Sequence, residues 1–163
     1  MSNVPPPVID SRSGFAAAVA WGFEAAIELG ARRIVCADID FAVWPWDDGA
    51  TLDRLTAWLR LPQRSLVLLA RDFEGLPSRH PRFTAWRRDW VHAIDSRQVP
   101  ADWPQAIPTL LVADQAVSVH LIDAVHWRGR AQADERAAHQ WREGIDAVLQ
   151  RSESAFAVRT LGL

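Results

Sequence analysis

The groups able to do chemistry in this 163-residue chain sit in a few short stretches. Arg71-Asp72, Arg79-His80-Pro81-Arg82 and His126-Trp127-Arg128-Gly129-Arg130 each gather charged or imidazole side chains within a few residues. Guanidinium groups hold carboxylates and phosphates through charge-assisted hydrogen bonds, so such stretches suit a small anion. Carboxylates stand apart from them: Asp38 and Asp40 follow "RIVCA", and Asp114 closes "IPTLLVAD". In an open α/β sheet, ligands bind beyond the carboxyl ends of the strands. That rule selects Arg71, Asp72, His80, Arg82, Asp114, His126, Arg128 and Arg130 as the ligand-binding candidates. No catalytic residue and no metal site are expected among them, with Asp38 and Asp40 as the alternative metal pair.

Composition removes several chemistries. All 18 basic residues are Arg, so a Schiff-base lysine and a phosphate-loop lysine are both excluded. The 8 glycines never cluster and no Gly-x-Ser-x-Gly occurs, which leaves no phosphate cradle and no nucleophile elbow. The five histidines lack metal-ligand spacing; His120 and His126 are six apart. Cys36 is the only cysteine and lies in an apolar run, where a buried thiol is inert. A net charge of −2 creates no field toward nucleic acid or an anionic membrane. The stretch Arg79–Arg97 carries five Arg with Trp86 and Trp90 interleaved. Its spacing of four reads as an amphipathic helix with Trp inward and Arg outward, and not as a base-stacking patch. Nucleic acid is therefore not expected as a partner. "MSNVPPPVID" has no signal-peptide pattern and no apolar run is long enough for a membrane span. A cytoplasmic protein without a cofactor is the expectation.

Helices and strands must carry these loops. Residues 1–12, with Pro5-Pro6-Pro7, read as an extended arm, and 13–163 as one α/β domain. A helix capped by Ser11 or Ser13 runs to Leu29, with Phe15, Val19, Phe23 and Ile27 on its buried face. "RIVCAD" and "SLVLLA" are continuous apolar strands, separated by a helix over Thr51–Leu61. A helix opening at Pro81 follows, then a more polar strand "AIDSRQV". "TLLVAD" and "AVSVHLI" form a hairpin around Asp114-Gln115, and "WRGRAQADE" reads as a loop. Ala133–Gln150 is an amphipathic helix with Ala137, Trp141, Ile145 and Leu149 inward, and "AFAVRTLGL" adds a last strand or clamp. Apolar strands separated by helices imply three layers: a mostly parallel mixed sheet with helices on both faces.

Two resemblances bear on function. "VCADIDFAV" resembles the opening motif of the haloacid dehalogenase-like phosphatases. That resemblance implies Asp38 as nucleophile and Asp40 as acid/base beside magnesium, although Phe41-Ala42 replaces the usual Gly-Thr or Gly-Val. Across residues 14–163, "GARRIVCADIDFAVWP", "SLVLLARDFEGL", "HPRFTAWRRDWVHAI", "LLVADQ" and "WREGIDAVLQRSESAFAVRTLGL" resemble half of a phospholipase D-like fold. The similarity is to a family of uncharacterised bacterial proteins. It implies a His-x-Lys-x4-Asp motif ending at Asp114, where Ile107 and Thr109 replace the nucleophile and the phosphate-holding lysine. The resemblance thus implies an inactive phospholipase D-like module that binds a small anion, a protein partner or a second copy of itself.

Overall fold

The continuous apolar runs become the central strands. The structure, a computed structural model, describes residues 4–114 and 116–157. Its elements run α1 (Arg12–Glu28), β1 (Arg33–Ala37), α2 (Gly49–Leu59), β2 (Ser65–Ala70), α3 (Leu76–Arg79) and α4 (Pro81–Arg87). After a 3-10 turn (Arg88–Trp90) come β3 (Ile94–Gln98), β4 (Thr109–Ala113), β5 (Ser118–Asp123), β6 (Arg128–Gln132), α5 (Glu135–Arg151) and β7 (Glu153–Ser154).

Caps fix where the helices begin. Ser11 Oγ accepts from Gly14 N at 2.9 Å. Asp48 accepts from Thr51 N, and Asp134 from Arg136 N and Ala137 N. Each satisfies a donor that the first turn leaves orphaned. Gly30, at φ 78°, takes the left-handed conformation that ends α1.

Among the described residues seven strands form one open mixed sheet in the order β6-β5-β4-β1-β2-β3-β7. β1, β2 and β3 are parallel. The other four pairings are antiparallel, which corrects the expectation of a mostly parallel sheet. Parallel neighbours need a crossover of a dozen or more residues. The link 99–108 has none: it carries Pro100, Pro104 and Pro108 and contains no helix. It therefore crosses the carboxyl edge of β2 and β1 and enters β4 reversed. "RGRAQ", read from sequence as loop, is the edge strand β6. Its charges hid it, yet exposed charge is how a sheet edge resists pairing with another chain.

Helices α1, α2 and α4 cover one face, over Ile34, Cys36, Leu66, Leu68 and Leu111. Helix α5 covers Val35, Val67, Leu110 and Val112 on the other. Its buried positions are Ala138, Ile145 and Val148, while Trp141 and Leu149 are only partly buried. The inward face is thus turned slightly from the expected one. Cys36 is buried, and burial pushes its thiol well above the usual range. In the arm, Ile9 is 5% exposed and the Val4 carbonyl accepts from Trp21 Nε1. β7 lies just before the expected last strand 155–163; residues 155–157 are in no strand, and residues 158–163, like Gln115, lie outside the described residues.

Two predictions arise here. Gly129 lies so close to the His120 carbonyl that an added Cβ would collide with β5 backbone. Gly129→Ala is expected to cost about 1–3 kcal/mol in chemical denaturation, because backbone must move. His120 packs on Trp141 with ring centroids 4.4 Å apart, and burial lowers its pKa. The unfolded chain then binds the proton more readily, so stability falls as pH drops below the ordinary histidine value. His120→Gln should flatten that acid-side loss in denaturation curves taken from pH 7 to pH 5.

Candidate functional site

At the carboxyl edge of β1 the two carboxylates are spent on the turn that follows. Asp38 is 4% exposed. Its Oδ2 accepts from Phe41 N at 3.1 Å, and its Oδ1 accepts from Thr109 Oγ1 at 2.6 Å. Desolvation raises its pKa above the ordinary carboxylate value, against the lowering effect of the Thr109 hydroxyl. Asp40 accepts from Ala42 N and pairs with Arg79 at 3.3 Å. Phe41 sits between them at φ 59°, and its carbonyl meets His80 Nε2 at 2.9 Å. A carbonyl only accepts, so that nitrogen carries the proton. His80 is thus a buried strut under the turn. A phosphatase nucleophile must be ionised and open to substrate. Asp38 is buried, and both its oxygens are engaged. Among the described residues no group of three His, Cys, Asp or Glu is placed to hold a metal ion.

The neighbouring candidates also fasten the fold. Arg71 Nη2 donates to the carbonyls of Trp103 at 3.0 Å and Gln105 at 2.8 Å. It holds the link 99–108 over the edge where a ligand was expected. Arg82 reaches the Asp47 carbonyl at 3.5 Å. Two strands beyond β1, His126 Nδ1 bonds Asp123 Oδ2 at 2.8 Å, and this bond holds the Asp123 carboxyl below its usual range. Arg128 and Arg130 are exposed on β6. Asp114 lies at the opposite end of the sheet, because β4 runs against β1. Its carboxylate accepts from Arg32 N, and its carbonyl from Arg142 Nη1. The candidates therefore form no single site. Asp38, Asp40 and His80 share one turn, Arg71 and Asp72 lie beside it, and the rest are scattered.

A different residue stands out. Arg87, on the last turn of α4, is 4% exposed. Its Nη2 donates to the Phe156 carbonyl at 2.6 Å, and its Cζ lies 3.7 Å from the Phe156 ring centroid. Nη1 reaches Ser96 Oγ at 3.5 Å. Nε is buried and meets no acceptor among the described residues. None of the ion pairs among the described residues includes it. Burial, with Arg88 adding repulsion, pushes its pKa down to about 10. It stays charged at neutral pH, and a buried cation without an ionic partner costs several kcal/mol.

Arg87 lines a cavity of about 640 Å³ with Asp72, Phe73, Pro77, Arg88 and Phe156. That size suits a small molecule. Phe73 and Phe156 stack at 5.2 Å and form an aromatic wall. Of the candidates chosen from sequence, Asp72 alone lines this cavity. Arg87 was missed because the helix was read with every Arg outward. Its spacing of four from Phe83, which is fully buried, was the available signal.

No family model matches the chain. No curated protein matches it either. Among solved structures, the fold is shared with TrmBL2, described as an archaeal chromatin protein with a novel mode of DNA binding. The TM-score is 0.61 at 14% identity, covering 91% of this chain and 53% of that one. The chain thus spans about half of that protein, and the likeness is one of fold. It overturns the expected phospholipase D-like relationship, since the shared fold leads to a chromatin protein. Neither the bacterial family nor the dimer expected with it gains support. The expectation against nucleic acid is corrected too, because the protein sharing this fold is described as binding DNA. Among the described residues no helix is long and apolar enough to cross a membrane.

Proposed function

We propose that this chain is a binding module for a small organic anion, held in the cavity between the Asp72–Pro77 loop, α4 and Phe156. Residues from 13 onward act as one unit in this reading, and residues 1–12 as an arm. The observation that carries it is Arg87, a buried guanidinium with a free Nε and no carboxylate partner among the described residues, lining a cavity of about 640 Å³. A carboxylate or phosphoryl group would neutralise that charge, and the Phe73 ring would take an apolar body. Gln98, on the same lining, has a second amide N–H beyond the one it gives to the Arg71 carbonyl. Benzoate, citrate and glycerol phosphate are suitable probes. A ligand at a hundred times its Kd adds about 2.7 kcal/mol of stability, or several degrees in Tm for a chain of this size. The expected result is a saturable rise in Tm with at least one probe and none with its neutral analogue. Equal response to salt alone would sink the reading.

The fold shared with a DNA-binding chromatin protein supports a second reading, contact with DNA. Within the Arg79–Arg97 stretch, Arg79 is paired, Arg87 is buried and Arg97 is held by Ser152. Exposed Arg82 and Arg88 are left to meet phosphates. Phosphate contacts are strongest at low salt, so duplex binding that weakens steeply as salt rises supports this reading. Absence of binding at low salt removes it.

A further inference from the structure

We infer that residues 152–157 are a latch over Arg87 that the bound anion displaces. The inference rests on the anion reading of the cavity and adds how the site is regulated. The segment leaves α5 at Ser152, pairs with β3 through only two residues, and places Phe156 against the guanidinium. Arg97 grips its base, donating from Nη2 to the Ser152 carbonyl at 2.7 Å and from Nε to Ser152 Oγ at 3.0 Å. Its tip is less settled. Phe156 has φ 53°, a left-handed backbone that a bulky residue adopts only at a cost. A two-residue ladder with exposed neighbours opens at low free energy.

The tip also seals the charge. With Phe156 in place, Arg87 is 4% exposed and its Nε is out of solvent. An anion in the cavity gains the Nη2 donor only when the Phe156 carbonyl gives it up. What Phe156 offers is a neutral carbonyl on Nη2 and the face of its ring. An anionic oxygen makes a stronger hydrogen bond to guanidinium than a carbonyl does. Exchange of one for the other therefore favours the open latch when ligand is present, and the closed latch when it is not. Ligand occupancy becomes a change of shape at the edge of the sheet, beside β3.

Two measurements on the full chain decide the matter, using whichever of benzoate, citrate or glycerol phosphate binds most tightly. By calorimetry, Phe156→Ala should bind that probe at least about fivefold more tightly than the parent, since the closed latch keeps its carbonyl but loses the ring's hold on Phe73 and on the guanidinium. In the parent protein, the Ala155 amide, which donates to the Ser96 carbonyl at 2.9 Å, should exchange its hydrogen faster when the probe is bound. Unchanged or weaker affinity in Phe156→Ala makes Phe156 part of the ligand's wall; that overturns the latch and leaves the cavity reading standing. Slower or unaltered exchange at Ala155 also overturns it, even if the variant fails to fold. Failure of every probe to bind either protein overturns the cavity reading, and the latch with it.

Discussion

Trp46→Ala is expected to lower stability by about 3–5 kcal/mol, seen as a drop of roughly 10 °C in Tm. Trp46 is fully buried. Its ring stacks on Trp44 at 5.5 Å and 8°, and lies 4.6 Å from Phe83 and 5.9 Å from Phe23. Those contacts join the turn after β1 to both α4 and α1. Removing the indole opens a cavity where three elements meet, and rigid neighbouring rings collapse poorly into it. Trp46→Phe should cost far less. It keeps an aromatic ring and removes an indole N–H that meets no acceptor in the described structure. A loss below about 1 kcal/mol for the alanine variant would mean that the aromatic layer repacks freely.

Arg87→Met is the second large effect, and it divides stability from binding. Fold stability is expected to hold or rise, while binding of the anion falls at least about tenfold, some 1.4 kcal/mol. Two terms compete in the fold. Taking the charge away relieves a desolvation cost of several kcal/mol. Leaving the Phe156 carbonyl without its donor costs about 1–3 kcal/mol. The first outweighs the second, and the flexible Met side chain fills much of the vacated space beside Phe156. A structural arginine would behave in the opposite way. If Arg87→Met unfolds the protein by more than about 3 kcal/mol, the guanidinium is a staple of the fold and not a ligand group.

Much of the fold is legible in the sequence, and the reasons are local. Ser11 announces the first helix by its capping side chain. "RIVCA" and "SLVLLA" announce central strands because both of their faces are covered. Strand direction was not legible. It depends on where the Pro-rich link 99–108 crosses, and no residue in β4 records which way it runs. That one uncertainty displaced the expected site. Asp114 was assigned to the ligand edge on the assumption of parallel strands, and the reversal of β4 carries it to the other end. Edge strand β6 was hidden for a different reason, since its exposed Arg128 and Arg130 look like loop residues. The Arg87 cavity is the least legible feature. It needs α4, the loop after β2 and the segment after α5 to converge, and no window of sequence contains all three.

The NMR signal of the Arg87 Nε–Hε group, assigned by its absence in Arg87→Met, reports directly on anion contact. This N–H meets no acceptor among the described residues, and a charge-assisted hydrogen bond to an incoming anion would move its proton signal downfield. Titration with the tightest-binding of benzoate, citrate and glycerol phosphate should produce a saturable downfield shift, with the same Kd that calorimetry gives. Saturable binding in the calorimeter with an unmoved Arg87 signal would contradict the account, because the anion would then be held elsewhere.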